Sequence, residues 1–361
     1  MRLVAKIGTS SITDDRGVIS VAMIDSLCAQ VAALRNDGHE VVVVTSGAVA
    51  GGVAALGLAQ RPADTATLQA LSAAGQIRLM GHYNAALDRH ALVGAQVLLV
   101  PNDFMDRAQY LHARQTMLRL LELGCIPIIN ENDAIASDEI RFGDNDRIAA
   151  LVAHSVNADV LVLLTDIDGL YTADPSVNPG ASLVARVAAD DELMSVRAGA
   201  TGSARGSGGM ASKLAAARIA SWSGVRTVIA RATRADVLRD ALADNDGIGT
   251  VFAAHDRSLT ARKLWIAFAA QPEGRVTVDD GARTALLTKG VSLLHAGVVE
   301  VLGDFTAGDV VEIVDSTGEV VARGLVRVES RHAGSAAGKK SSELPEGIPT
   351  ELVHRDDLIV F

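Results

Sequence analysis

Six short runs of aliphatic and β-branched residues constrain this chain more than anything else in it: LVAKIG (3–8), EVVVVTSG (40–47), AQVLLVP (95–101), CIPIIN (125–130), DVLVLLTD (159–166) and RTVIA (226–230). Each is apolar almost without alternation, the pattern of a parallel strand buried on both faces. Helical segments separate them. Ser20 can cap one helix that stops near Gly38, and Gly124 and Gly224 follow two others. Parallel strands joined by helices need right-handed crossovers, which put helices on both faces of the sheet. The predicted fold class is α/β, an αβα sandwich on a mainly parallel open sheet.

The pattern changes after residue 254. A charged stretch, HDRSLTARKLW (255–265), leads into short strands and glycine turns, GRVTVDDGA (274–282) and GDVVEIVDSTGEVVARGLVRV (308–328). Ser316-Thr317-Gly318 between two apolar runs reads as a hairpin turn. The boundaries predicted are 1–254 for the α/β domain, 255–273 for a linker and 274–361 for a small, mostly β domain. Within the latter, HAGSAAGKKSSELPEGIP (332–349) is poor in apolar residues and reads as a surface loop. No long internal repeat is present.

Composition removes several functional classes. The chain has 361 residues, 49% of them hydrophobic, enough for about two domains. No apolar run approaches the roughly 20 residues that span a bilayer, and MRLVAKIG enters a strand with no room for a signal peptide. The expectation is a cytoplasmic protein without a membrane partner. Cys28 and Cys125 lie in apolar periodic segments and read as reduced core thiols. A net charge of −10 argues against a broad nucleic-acid-binding face.

In open parallel sheets, ligands bind beyond the carboxyl ends of the strands. Those ends carry Lys6, Gly8, Thr9 and Ser10, then Thr45, Ser46 and Gly47, then Asn130, Glu131, Asn132 and Asp133, then Thr165, Asp166 and Asp168. Asp144, Asn145 and Asp146 open an apolar helix. An N-cap explains one acid there, but not the whole polar triplet. The segment RGSGGMASK (205–213) reads as a glycine-rich loop entering a helix, a place where backbone N–H groups and the helix dipole attract an anion. It lacks the Gly-Lys-Ser/Thr ending of a Walker loop. Lys6 and Lys213 are the only lysines in the first 262 residues, and both fall at predicted ligand-facing ends. Two ammonium groups flanking a transferring phosphoryl would stabilise its oxygens. Asp146 could hold both lysines, with neighbouring acids positioning Mg²⁺ through water.

The set KIGTSS, VTSGAVAGG, INENDA, FGDNDRIAA, LLTDIDGLYTADP and GSGGMASK, in this order and spacing, resembles the glutamate 5-kinases of the amino-acid kinase family. The C-terminal segment resembles a PUA domain. The resemblance implies ATP- and Mg²⁺-dependent phosphorylation of the γ-carboxylate of L-glutamate. It also implies proline as an inhibitor, a glutamyl-5-phosphate reductase as partner, and a homo-oligomer. By motif position, Lys6, Lys213 and Asp146 would be catalytic, and Ser46, Asp133 and Asn145 would bind substrate. Lys6, Gly8, Thr9, Thr165, Asp166 and Ser207, Gly208, Gly209, Met210, Ala211, Ser212 and Lys213 would bind the nucleotide; the metal ligands are unknown. Some positions depart from the family pattern: Arg141 stands where a lysine is frequent, Ser207 and Ser212 where threonines are usual, and Pro345 and Gly347 interrupt a segment often helical in PUA domains.

Two alternatives remain. One is another kinase of the same family, acting on aspartate, N-acetylglutamate or carbamate; Asp133 favours a substrate with a free ammonium group. The other is an RNA-binding protein acting through the PUA-like tail, where eight Lys/Arg against fourteen Asp/Glu from Val276 onward make phosphate binding unfavourable.

Overall fold

The computed structural model describes residues 1–14, 17–104, 106–135, 145–175, 177–194, 209–256, 259–269 and 272–361. They fall into two compact units, residues 1–194 with 209–256, and residues 259–361.

The first unit's strands are β1 (Arg2–Ile7), β2 (Glu40–Val44), β3 (Gly94–Leu99), β4 (Ile126–Glu131), β5 (Val160–Thr165), β6 (Arg186–Val187), β7 (Arg226–Arg231) and β8 (Thr250–Phe252). Among the described residues they form one sheet in the order β3-β4-β2-β1-β5-β7-β8-β6. All six apolar runs are strands, and every pairing is parallel except β7 with β8. The helices are α1 (Thr9–Ile12), α2 (Val21–Asn36), α3 (Ala48–Ala55), α4 (Thr65–Asp88), α5 (Arg107–Glu122), α6 (Asn145–Ser155), α7 (Gly209–Ser221) and α8 (Val237–Ala243). Ser20 caps α2 as expected, its Oγ accepting from the Met23 N–H at 3.3 Å. Helices α2, α5 and α7 stop within three residues of Gly38, Gly124 and Gly224.

Strand periodicity sorts the side chains between the two faces. Leu3, Ala5 and Ile7 join α2 (Ile24, Leu27, Val31, Leu34), α4 (Leu79, Tyr83) and α8 (Val237, Leu238, Ala241) in one core. Val4 and Lys6 therefore point to the opposite face, where α6 lies against β1 and packs on α7. Strand β3 departs from the expectation of two buried faces. It is the sheet edge, with Gln96 exposed and most of its neighbours half-buried, because only β4 covers it. Cys28 lies in the core as expected, but Cys125 is only half-buried; both are free thiols.

Helices α3 and α4 cross at backbone contact. A Cβ built on Gly75 would lie 1.8 Å from the Ala48 carbonyl oxygen, and one on Gly52 would lie 2.0 Å from that of Leu71. Gly47, at φ +97°, turns the chain from β2 into α3 in a conformation that side chains resist. The crossing fixes α4 beside the ends of β2 and β4.

The second unit contains β9 (Gly274–Val278), β10 (Leu293–Leu294), β11 (Val298–Gly303), β12 (Val310–Val314), β13 (Val320–Val326) and β14 (Glu351–Val360). Their order among the described residues is β10-β14-β13-β12-β9-β11. The β12–β13 pair is antiparallel, and its turn is held by Asp315, whose carboxylate accepts from the N–H groups of Thr317 and Glu319. This unit has its own core around Val276, Val311, Ile313, Val326, Leu352 and Val353.

Two segments here differ from expectation. Residues 261–269, expected within a linker, form α9 (Ala261–Leu264) and a π turn (Trp265–Ala269). Leu264, Ile266 and Ala267 there are buried, and Arg323 donates to the Ala267 carbonyl at 3.1 Å. The expected loop at 332–349 is partly helical. After α10 (Asp280–Lys289), α11 (Ser330–Ala336) enters it and buries Ala333 and Ala336. These alanines are three apart, one face of a helical turn, and small enough to pack closely.

The α3–α4 crossing yields a stability prediction. Gly75→Ala should lower the thermal unfolding midpoint of the full chain, because overpacking typically costs about 1–3 kcal/mol and here the obstacle is backbone. Gly81→Ala, on the same helix with nothing within 4 Å of its would-be Cβ, should leave it unchanged or raise it. Equal effects from both would contradict the crossing.

Candidate active site

The ends of β1, β2, β4 and β5 meet at one edge of the sheet. Lys6 lies in register with Val44 of β2 and Leu163 of β5, one residue before β1 ends. On the α6–α7 face its ammonium meets the Asp146 carboxylate, with Nζ 2.6 Å from Oδ1. The other oxygen, Oδ2, lies 3.3 Å from the Lys213 Nζ and accepts from the Ser212 hydroxyl at 2.6 Å. All three charged side chains are nearly sealed from solvent, at 6%, 5% and 11% exposure for Lys6, Asp146 and Lys213. Burial alone would raise the Asp146 pKa; Lys6, then Lys213, outweigh it and hold the carboxyl below its ordinary value. One carboxylate between two ammonium groups leaves a net positive charge. Such a group attracts an anion with many oxygens.

Asn145, the first residue of α6, organises the adjoining side. Its amide nitrogen donates to Ser46 Oγ at 3.2 Å and Asn130 Oδ1 at 3.1 Å, and its oxygen accepts from the Glu131 N–H at 3.1 Å. Asn130 in turn donates to Gln76 Oε1 at 2.8 Å. Asp133 accepts from the Ser72 hydroxyl at 2.7 Å. Burial pushes the Asp133 carboxyl up, and the Ser72 hydrogen bond and the Arg61 charge offset this only in part. Thr9, Ser46, Asn130, Asp133 and Asn145 line one cavity of about 660 Å³.

The sequence-derived candidates thus separate into places. Lys6, Asp146, Lys213 and Ser212 form one cluster, and an added Cβ on Gly8 would lie 3.5 Å from the Lys6 Nζ. Thr9, assigned from sequence to the nucleotide, shares its cavity with the substrate candidates Ser46, Asp133 and Asn145. Gly209, Met210 and Ala211 form the first turn of α7, where the Gly209 carbonyl accepts from Ser212 Oγ and Lys213 Nζ. Thr165, at the end of β5, donates to Asp166 at 3.0 Å, and neither borders the 660 Å³ cavity. Asp168 is held by Arg231, with Nε 2.6 Å from Oδ1. Arg141, Asp144, Ser207 and Gly208 lie outside the described residues.

Residue-level reading of the sequence passed over α4. Ser72 and Gln76 sit four apart on its buried face, and Tyr83 further along donates to Thr45 Oγ1 at 3.0 Å. A polar pair at helical spacing within an apolar face was the available signal.

A model of the amino acid kinase family matches residues 1–231, and a model of the PUA domain matches residues 274–348. The chain is 47% identical to a glutamate 5-kinase of Thermobifida fusca (strain YX), over 100% of this chain and 93% of that protein. It is 46% identical to a glutamate 5-kinase of Ralstonia pickettii (strain 12J), covering 100% and 97%. Among solved structures, the T. acidophilum isopentenyl phosphate kinase product complex superposes with a TM-score of 0.50 at 19% identity, over 70% of this chain and all of that one. That likeness concerns the fold.

Asp146→Asn should leave two buried ammonium groups facing each other without a counter-charge. Removing one partner of a buried ion pair costs about 3–5 kcal/mol, so the variant should unfold at markedly lower temperature. Adding Lys6→Met should recover part of that loss, since one of the two repelling charges is gone. A double variant no more stable than Asp146→Asn alone would show that Lys6 and Asp146 are not energetically coupled.

Proposed function

The chain belongs to the amino acid kinase family, and we propose that it phosphorylates the γ-carboxylate of L-glutamate with MgATP, the activity of a glutamate 5-kinase. The observation that carries this reading is the buried Lys6–Asp146–Lys213 cluster beside a cavity that holds one carboxylate, Asp133. Near-half identity to glutamate 5-kinases over the full chain supports it further.

The γ-carboxylate is ionised at neutral pH, with an ordinary pKa near 4.3, so it is a nucleophile that needs no general base. One of its oxygens forms a bond to the γ-phosphorus of ATP as the bond from that phosphorus to the bridging oxygen breaks and ADP leaves. The protein's part is positioning and charge stabilisation. Lys6 and Lys213 address the oxygens of the transferring phosphoryl, and Asp146 keeps both ammonium groups aimed. Gly209 to Lys213, with Thr165, Asp166, Gly8, Ser207 and Gly208, serve the nucleotide. Ser46 and Asn145 hold the acceptor, and Asp133 pairs with its ammonium group. Magnesium bound to ATP would offset part of the phosphate charge. Both Asp146 oxygens already have cationic or hydroxyl partners, and no group of three His, Cys, Asp or Glu among the described residues forms a metal cage. An ion held mainly by phosphates and water suits this site.

Proline shares an α-carboxylate and a cationic α-nitrogen with glutamate but lacks the reacting carboxylate. We therefore assign it as an inhibitor that overlaps the Asp133 end of the substrate site. The acyl phosphate product calls for a consuming reductase as functional partner, and the active form is taken as a homo-oligomer. No helix among the described residues is long and apolar enough to cross a membrane, and the cytoplasm, where ATP is supplied, is the assigned compartment.

With MgATP and L-glutamate, the protein should form a product that hydroxylamine converts to a hydroxamate, with proline inhibition relieved by excess glutamate. Equal or faster turnover of aspartate, N-acetylglutamate or carbamate would overturn the assignment. The pH profile gives a second check. Asp133 has a raised pKa in the free protein, so it protonates at a higher pH than an ordinary carboxyl and then cannot pair with an ammonium. The kcat/KM for glutamate, which reports the free enzyme, should therefore carry an acid limb at a higher pH than an ordinary aspartate would give, and Asp133→Asn should abolish that limb. The kcat/KM for ATP at saturating glutamate should lack that limb. A limb common to both would remove Asp133 from the role.

A further inference from the structure

The residues bordering the 660 Å³ cavity include one cation, Arg61, and one anion, Asp133. Arg61 belongs to the loop between α3 and α4, whose residues Leu58, Ala59, Gln60 and Arg61 form one wall of the cavity. That loop is tied down at both ends. The Leu58 N–H donates to the Val53 carbonyl at 3.1 Å, and Asp64 caps α4 by accepting from the Thr67 N–H at 2.9 Å. The α3–α4 backbone crossing fixes its base. Among the described residues, no hydrogen bond or ion pair engages the Arg61 guanidinium, and its field reaches the Asp133 carboxylate.

An α-amino dicarboxylate brings three charged groups to this cavity. Asp133 answers the ammonium, and the side-chain carboxylate must reach the phosphoryl transferred beside Lys6 and Lys213. The α-carboxylate is left over. It is bonded to the same carbon as the ammonium, so whatever reads it must stand close to Asp133. A guanidinium suits that task because it offers a planar, bidentate fork that stays charged at every relevant pH. We propose that Arg61 pairs with the α-carboxylate of the amino-acid substrate and, together with Asp133, makes the cavity selective for an intact α-amino acid head group. This rests on the reading of the site as one that binds L-glutamate.

The test is a substrate-by-variant cycle on the full chain, using L-glutamate and L-glutamate α-amide (isoglutamine), which keeps the ammonium and γ-carboxylate but replaces the α-carboxylate by a neutral amide. Arg61→Gln should raise the KM for glutamate about 10- to 100-fold, the range expected for losing a hydrogen-bonded charge partner, with a far smaller change in kcat. The same substitution should change kcat/KM for isoglutamine less than about threefold, and Arg61→Lys should restore part of the affinity for glutamate. Equal losses for both substrates would mean that Arg61 acts without reading the α-carboxylate, and an unchanged KM for glutamate would mean that it does not touch the substrate. Either result overturns the proposal while leaving glutamate phosphorylation by the unaltered chain intact. Absence of glutamate-dependent ATP consumption in the unaltered chain would instead remove the reading of the site itself.

Discussion

A single carboxylate held between two ammonium groups sets the requirements for the rest of the catalytic unit. Lys6 comes from the first strand, Asp146 from the first turn of α6 and Lys213 from the first turns of α7, so three distant parts of the chain must meet before any of the charges is compensated. Isolated charges at this depth cost several kcal/mol each. The arrangement is asymmetric in a useful way. A lysine near a helix N-terminus faces the positive end of the dipole, and among the described residues Lys213 is held there by Asp146 and by the Gly209 carbonyl. In the proposed reaction, a phosphoryl group entering between the lysines would supply the negative charge that the fold withholds.

The acceptor side depends on α4 in the same way. The Gly52–Gly75 contact lets two helix backbones touch, which brings Ser72 within 2.7 Å of Asp133 and Gln76 within 2.8 Å of Asn130. Neither residue sits at a strand end. They orient the groups that do, and Tyr83 does the same for Thr45 from deeper in the core. A helix that packs by glycine is rigid where it crosses, and rigidity suits polar groups that must hold a substrate in one pose.

How much of this was legible in the sequence follows from how local each signal is. Strands buried on both faces announce themselves as unbroken aliphatic runs, and the two lysines stand out because the surrounding 262 residues hold no others. Ser72 and Gln76 offered only the weaker signal of a polar pair at helical spacing, since a small hydroxyl and an amide inside an apolar helical face look like tolerated core residues. Strand β14 was hidden for a related reason. Its centre, His354-Arg355-Asp356-Asp357, is polar on consecutive residues and breaks the alternation that marks a half-buried strand. Residues 261–269 read as a connector because the run around Trp265 is short and begins with charges, yet burial of Leu264 and Ile266 draws it into the second unit. In each case tertiary contact decided what local pattern left undetermined.

The charge distribution fits with chemistry confined to one place. The chain carries a formal charge of −10, so its distant field repels ATP and a dicarboxylate alike. At physiological ionic strength that field is screened beyond about 8 Å, whereas buried charges are screened much less. What an anion meets at the cavity is therefore set by the few groups around it. Asp133 is the exception among them, a carboxylate in a site for anions. Its burial raises the cost of keeping it ionised, and an arriving ammonium group lowers that cost again. Under the proposed pairing, a ligand that brings carboxylate without ammonium would leave Asp133 with only the Ser72 hydrogen bond and the Arg61 field to offset its burial, and would be disfavoured on electrostatic grounds. In the proposed role of Asp133, selectivity for an amino acid over a simple dicarboxylate would thus come from the residue that, by charge, is least suited to the site.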